Sequence, residues 1–364
     1  MPVSVEARFI TRCVRVPDTL QPRELQQLAQ SIGDWQTVAE LAASHGVSGF
    51  VRQAAAREGV AVPPFVAEGL RNAALAQIAH VARLDATLHR ILPALQTVGV
   101  PTIILKGPVL SRLVYPDPTL RPYSDIDLTI REPDEAQVVE TLLGVGLAEV
   151  PHGAEVARQT HAHHVHGGTA FHRVFMAPEG GVMVEMHLDP LQMGLRTTHE
   201  AARWQRAQAA PGLPGALMLS PEDQIIQLSV HVHKHGFSRL IWLKDLDLLV
   251  RELGESLDWD AVRADAQAEG VEGSVWYTLK LAAELFLTPV PPAPLKALAP
   301  SPLVRLLYRQ VWPPDGVANL TGHMRRRAVQ FLAADSWRGM IPNLVLMGRR
   351  GARARAIVSA ILGR

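Results

Sequence analysis

Two aspartates, Asp125 and Asp127, lie in the run Ser124-Asp125-Ile126-Asp127-Leu128-Thr129-Ile130, where polar and apolar residues alternate. A period of two predicts a strand. Ile126, Leu128 and Ile130 would face a core, and both carboxylates would share the opposite face. Same-face neighbours on a strand are about 6–7 Å apart at the backbone, so the two side chains can converge on one divalent ion or bracket two. Mg²⁺ and its relatives take hard oxygen ligands and are commonly shared with substrate phosphates. The structural alternative is a pair of exposed acids opening an edge strand. A second alternating run, Gly181-Val182-Met183-Val184-Glu185-Met186-His187, places Met183, Glu185 and His187 on one face. Glu185 is a candidate third ligand, or a general base acting at close range on an acceptor hydroxyl. His187, on the same face, can bind phosphate or hold Glu185 in orientation.

Upstream, the apolar run Ile103-Ile104-Leu105 ends in Lys106-Gly107-Pro108, followed by a short helix expected over Val109–Tyr115. Glycine lets a backbone approach an anion closely. Pro108 suits the first helical position, and the amides of Val109 and Leu110 are then expected to face a phosphate. Lys106 adds a positive charge. Arg121, four residues before Asp125, is either a phosphate clamp or a salt-bridge partner that holds the loop.

The Lys-Gly turn, the short helix and the segment Arg121-Pro122-Tyr123-Ser124-Asp125-Ile126-Asp127-Leu128 together resemble the nucleotidyltransferase superfamily. More narrowly, they resemble its uncharacterised bacterial branch, in which Lys-Gly stands where better-known members carry Gly-Ser. Glu185 stands where many relatives have Asp, and similar sequences carry a histidine at the position of His187. The resemblance runs from a helical N-terminal region to a histidine-bearing helix near residue 231. It implies an NTP substrate, ATP among the candidates, and Mg²⁺ or Mn²⁺ held by Asp125, Asp127 and Glu185. It further implies that Lys106, Gly107, Arg121, Ser124, His187 and His231 serve the nucleotide. The expected activity is transfer of a nucleotidyl group to a hydroxyl or phosphate acceptor on a small molecule, peptide or protein. The competing readings are a phosphotransferase using the same metal site and a non-catalytic nucleotide-binding or interaction module.

These residues need a scaffold. The expected fold is α/β (α+β), a small mixed sheet of nucleotidyltransferase type between helical regions. Residues 1–96 would be an N-terminal helical region, 97–190 the catalytic core and 191–364 a C-terminal helical region with a basic tail. Residues 1–18 show no clear pattern and read as an extended lead-in. Leu25, Leu28, Ile32, Val38 and Leu41 recur at helical spacing, Asp34 suits an N-cap, and a long helix is expected over Phe65–Gln96. His164–Met176 and Gly181–His187 read as a hairpin. Residues 188–218 read as irregular apart from a helix near 200–207. Ser220-Pro221-Glu222-Asp223 is a strong helix start. On that helix His231, Lys234 and His235 share a face, and Asp245 on the next helix can meet them. Further helices are expected at 258–269, 272–287 and 302–312, with the proline-rich stretch Pro289–Pro300 as a linker.

Hydrophobic residues make up 48% of the chain, charged residues 20%, and the net charge is +1, which gives no overall drive toward nucleic acid. Aromatic residues are only 5%, so stacking platforms are few and nucleic acid is a disfavoured partner. The single cysteine, Cys13, excludes an internal disulfide and a cysteine-based zinc knuckle. With no apolar run of about 18 residues or more and no signal-like N-terminus, a cytoplasmic protein without a transmembrane segment is expected. The histidines at 161–172 read as a polar sheet face rather than a zinc site. Five arginines between Arg349 and Arg364, with Arg325–Arg327, make the C-terminal tail a candidate for weak contact with an anionic surface.

Overall fold

The computed structural model describes residues 4–21, 23–150, 172–178, 181–191, 200–302 and 305–306. The fold is mixed α/β. In chain order the helices are α1 (Val5–Val14), α2 (Glu24–Gln30), α3 (Trp35–Ser44), α4 (Ser48–Arg57), α5 (Pro64–Thr97), α6 (Gly107–Leu113), α7 (Glu135–Gly144), α8 (Glu200–Arg206), α9 (Pro221–Lys234), α10 (Leu240–Leu253), α11 (Trp259–Glu269), α12 (Glu272–Phe286) and α13 (Pro292–Ala297). The strands are β1 (Ile103–Ile104), β2 (Asp125–Thr129), β3 (Ala148–Glu149), β4 (His172–Met176), β5 (Met183–His187), β6 (Gln208–Ala209) and β7 (Leu217–Met218). The chain divides into two compact units, one spanning residues 75–224 and one made of the segments before and after it.

The unit of residues 75–224 is built on one sheet in the order β3-β4-β5-β2-β1-β7-β6. β2 is central, antiparallel to β1 and parallel to β5. The expected alternation holds. Ile126, Leu128 and Ile130 enter the main core with Val184, Met186 and Phe175, beneath Leu84, Leu88, Ile91, Leu92 and Leu95 of α5 and Val138 and Leu142 of α7. The three-and-four spacing of the α5 leucines gives it an apolar stripe for this face. The other face of the sheet carries the polar residues. Part of it is closed by a small apolar cluster of Ile103, Leu105, Trp204 and Leu219, with the Arg131 guanidinium 5.0 Å from the centre of the Trp204 ring. The start of α9 is fixed from both directions, since the Asp223 amide donates to Ser220 Oγ and that hydroxyl donates to the Asp223 carboxylate. The same carboxylate meets Arg203 and Arg206 of α8.

The other unit is helical. It brings together α1, α3 and α4, and packs α10 on α12. Asp34 caps α3 as expected, accepting from the amides of Gln36 and Thr37. Lys244 and Arg251 both pair with the buried Asp247, which also accepts from the Thr288 hydroxyl.

Several expectations need correction. The first residues are not extended: Ser4 caps α1, which buries Phe9, Ile10, Cys13 and Val14 on one face. Residues 188–218 are not irregular beyond α8, because β6 and β7 pair with each other and β7 extends the sheet beside β1. The proline-rich stretch contains the helix α13, whose prolines fall in its first turn, where no intrahelical N–H is required. The histidines at 161–171, the expected helix beyond residue 306 and the basic tail lie outside the described residues.

Ile126 is fully buried between the central strand and α5, so Ile126→Ala should cost about 2–5 kcal/mol in chemical denaturation. A cost below that range would show that β2 is not the centre of this core.

Candidate functional site

The parallel pairing of β2 with β5 builds the site. Its register sets Asp127 beside Glu185 and Thr129 beside His187. Neighbouring strands are about 4.8 Å apart, so residues distant in sequence present their side chains together on the polar face. His187 Nε2 lies 3.0 Å from Asp127 Oδ1 and 3.4 Å from Glu185 Oε2. One ligand atom from each of Asp127, Glu185 and His187 lies within 4.8 Å of the others. Lys106 Nζ closes the other side, 2.9 Å from Asp127 Oδ2. The Asp127 carboxylate is thus held at both oxygens, and only 3% of the residue is exposed.

These contacts set the electrostatics. Burial alone would raise the pKa of Asp127, but the Lys106 charge and the His187 hydrogen bond outweigh it and hold the carboxyl far below the usual range. Burial would lower the pKa of His187, yet its hydrogen bonds to Asp127 and Glu185, with their charges, raise it above the ordinary value. The cluster of two carboxylates and an imidazole, with oxygens and a nitrogen converging, fits a divalent cation. Asp125 lies on the same face one pleat toward the strand start, half-buried and outside this close grouping.

Lys106 is placed by an unusual backbone. Its φ of 53° with ψ of −120° is a conformation that non-glycine residues rarely adopt. The next residue must be glycine for a packing reason, because a Cβ on Gly107 would lie 2.5 Å from the Tyr123 Cβ. Tyr123 in turn donates to Asp85 of α5, and Asp85 pairs with Arg112 of α6, so the turn is tied to two helices. One expectation fails here. The amides of Val109 and Leu110 do not face a ligand, since both donate to the Lys106 carbonyl, 3.1 and 2.8 Å away. A helix that starts directly behind the turn consumes its own first donors.

Arg121 is buried, 3% exposed, and donates to the carbonyl of Pro122. Ser124 is exposed, and its carbonyl lies 3.2 Å from Nε2 of His80 on α5. His231 belongs to the helical unit, where it forms an aromatic group with His235 and Trp242 at centroid distances of 4.6 and 4.8 Å. His235 lies one residue past α9, with its ring beside that of His231. Asp245 of α10 is fully buried. Two buried polar residues escaped the sequence reading, Thr129 on the site face and Asp189 beyond the end of β5. Thr129 is fully buried and its hydroxyl has no hydrogen-bond partner. Asp189 is buried just past β5, accepting from the Leu191 amide at 2.9 Å. The repeat Glu185-x-His187-x-Asp189 carried that signal.

The family model described as "Uncharacterised nucleotidyltransferase" matches residues 31–287. The chain belongs to this nucleotidyltransferase family. The match spans both strands of the site, the Lys106-Gly107 turn and the helix that bears His231. No curated protein matches the chain. Among the described residues no helix is long and apolar enough to cross a membrane.

Two expectations follow. In metal-free protein the His187 contribution to stability is complete below its ordinary pKa of 6.5 and is lost as pH rises through its higher folded value. The Asp127 contribution has the opposite sign, being complete above its ordinary 3.8 and lost as pH falls toward its depressed folded value. Denaturation in the presence of chelator should therefore show stability falling from near-neutral to alkaline pH, and His187→Gln should flatten that limb and shrink the acid limb to the part that Lys106 sustains. An unchanged alkaline limb in the variant would contradict the assignment. Gly107→Ala should destabilise by about 1–3 kcal/mol through its clash with Tyr123, as read by the same denaturation. A neutral substitution would mean that Tyr123 moves away freely.

Proposed function

We propose that the protein transfers a nucleotidyl group from an NTP to a hydroxyl or phosphate acceptor carried by a small molecule, peptide or protein, using Mg²⁺ or Mn²⁺. The observation that carries this reading is the convergence of Asp127, Glu185 and His187 across paired strands, in a chain of this family. Asp125, Asp127 and Glu185 would hold the ion, Asp125 reaching it from the neighbouring position on the same strand face. When bound, the ion supplies charge neutralisation on the triphosphate and aligns it for in-line displacement.

The chain's own groups do the rest. Glu185, less buried than Asp127, is either the third ligand or, in place of that role, the base that takes the proton of the acceptor hydroxyl. The acceptor oxygen bonds to the α-phosphorus, the bond from that phosphorus to the bridging oxygen breaks, and pyrophosphate leaves. Lys106, paired with Asp127 at 2.9 Å, would exchange that contact for one with the leaving phosphates. Arg121 and Ser124 shape the approach to β2. The expected compartment remains the cytoplasm, and the domain division expected from the sequence remains part of this proposal.

Calorimetric titration with ATP, GTP, CTP and UTP, with and without Mg²⁺, should show nucleotide binding that requires the metal and disappears in Asp127→Asn. Once an acceptor is found, its mass should increase by a nucleoside monophosphate. A gain of a single phosphate would establish the phosphotransferase instead. Asp127→Asn or Glu185→Gln should each lower kcat about 10²–10³-fold, the cost of removing a preorganised electrostatic element. Full turnover in both variants would refute the site.

A further inference from the structure

We propose that His187 is itself a metal ligand through Nε2, which makes the centre a mixed carboxylate–imidazole site and gives it a preference for Mn²⁺, or a similar first-row transition ion, over Mg²⁺. This rests on the metal reading above and specifies the ion that the site selects.

The spacing of the groups carries the inference. Ligands held about 2.1 Å from one ion are separated by about 3.0 Å at right angles and about 3.4 Å at the tetrahedral angle. His187 Nε2 is 3.0 Å from Asp127 Oδ1 and 3.4 Å from Glu185 Oε2, the edge lengths of such a coordination polyhedron. A histidine that only oriented Glu185 would address one carboxylate, whereas this nitrogen addresses both and sits where their oxygens converge. Lys106 occupies the other oxygen of Asp127, Oδ2, at 2.9 Å, so Oδ1 is the one turned toward the cluster.

The surroundings of the ring agree. His187 ends a strand paired on both sides, with β2 and with β4, and is 6% exposed, so the imidazole is held by the sheet rather than by solvent. Its register partner Thr129 is fully buried on the same face, with a hydroxyl that has no hydrogen-bond partner. An imidazole in the donor set raises affinity for Mn²⁺, Co²⁺ or Zn²⁺ relative to Mg²⁺, which prefers oxygen alone.

The test is pulsed EPR of Mn²⁺ added to the metal-free full-length protein, repeated with ¹⁵N-histidine-labelled protein and with His187→Gln. The expected spectrum shows coupling to a directly bound nitrogen. Labelling converts that coupling to the ¹⁵N pattern, and the variant loses it. In the variant, Mn²⁺ affinity should fall about tenfold or more while Mg²⁺ affinity changes less, so the Mn²⁺:Mg²⁺ ratio collapses. Mn²⁺ bound without nitrogen coupling, or with coupling that survives His187→Gln, would overturn the proposal while leaving the metal site standing. Failure of wild type to bind Mn²⁺ in a manner sensitive to Asp127→Asn would overturn the metal reading and this proposal together. The labelling arm needs no substitution, so the proposal stays falsifiable even if the variant misfolds.

Discussion

Everything in the unit of residues 75–224 depends on keeping one carboxylate ionised inside a sheet. Asp127 lies on a central strand, out of contact with bulk water, where an unpaired charge would be strongly disfavoured. The chain meets that constraint from two sides, with Lys106 on one oxygen and His187 on the other. Each partner imposes its own requirement. Lys106 reaches Asp127 from a left-handed backbone position, which the Gly107–Tyr123 contact and the Asp85–Arg112 pair hold in place. His187 requires the parallel pairing of β2 with β5, and that pairing also delivers Glu185.

Parallel neighbours separated by nearly sixty residues in sequence can be held in register only if both faces of the sheet are covered. α5 and α7 cover one face with the main apolar core. The Trp204 cluster covers part of the other and leaves the remainder polar. The site is therefore the portion of a buried face from which apolar packing is withheld. Charges there are shielded enough for electrostatics to act strongly, and Glu185 stays partly exposed.

The sequence made the centre of this arrangement legible because alternation is a strong signal. Ile126, Leu128, Val184 and Met186 declared one face, and Asp127, Glu185 and His187 the other. Less regular features were harder to read. Strands of two residues, such as β6 and β7, have no period to detect. α1 is short, and its apolar spacing is easily lost in a mixed N-terminal segment. The helical turn at Pro292 hides behind prolines that usually signal a linker. Capping also misled: Gly107-Pro108 suggested free amides for an anion, but the Lys106 carbonyl accepts from Val109 and Leu110. The role of Lys106 as partner to Asp127 depends on a backbone conformation that a lysine does not advertise. Thr129 needed only the alternation of β2 carried two residues further, to the next position on the face of Asp127.

The most direct test is a crystal structure with Mn²⁺ and an NTP analogue whose α,β-bridge cannot be cleaved, with the ion located by anomalous scattering. The account predicts an ion about 2.0–2.3 Å from Asp127 and Glu185 oxygens, the triphosphate beside it, and Lys106 turned toward the phosphates. A nucleotide bound elsewhere, with the Lys106–Asp127–His187 contacts intact and no ion among them, would contradict it.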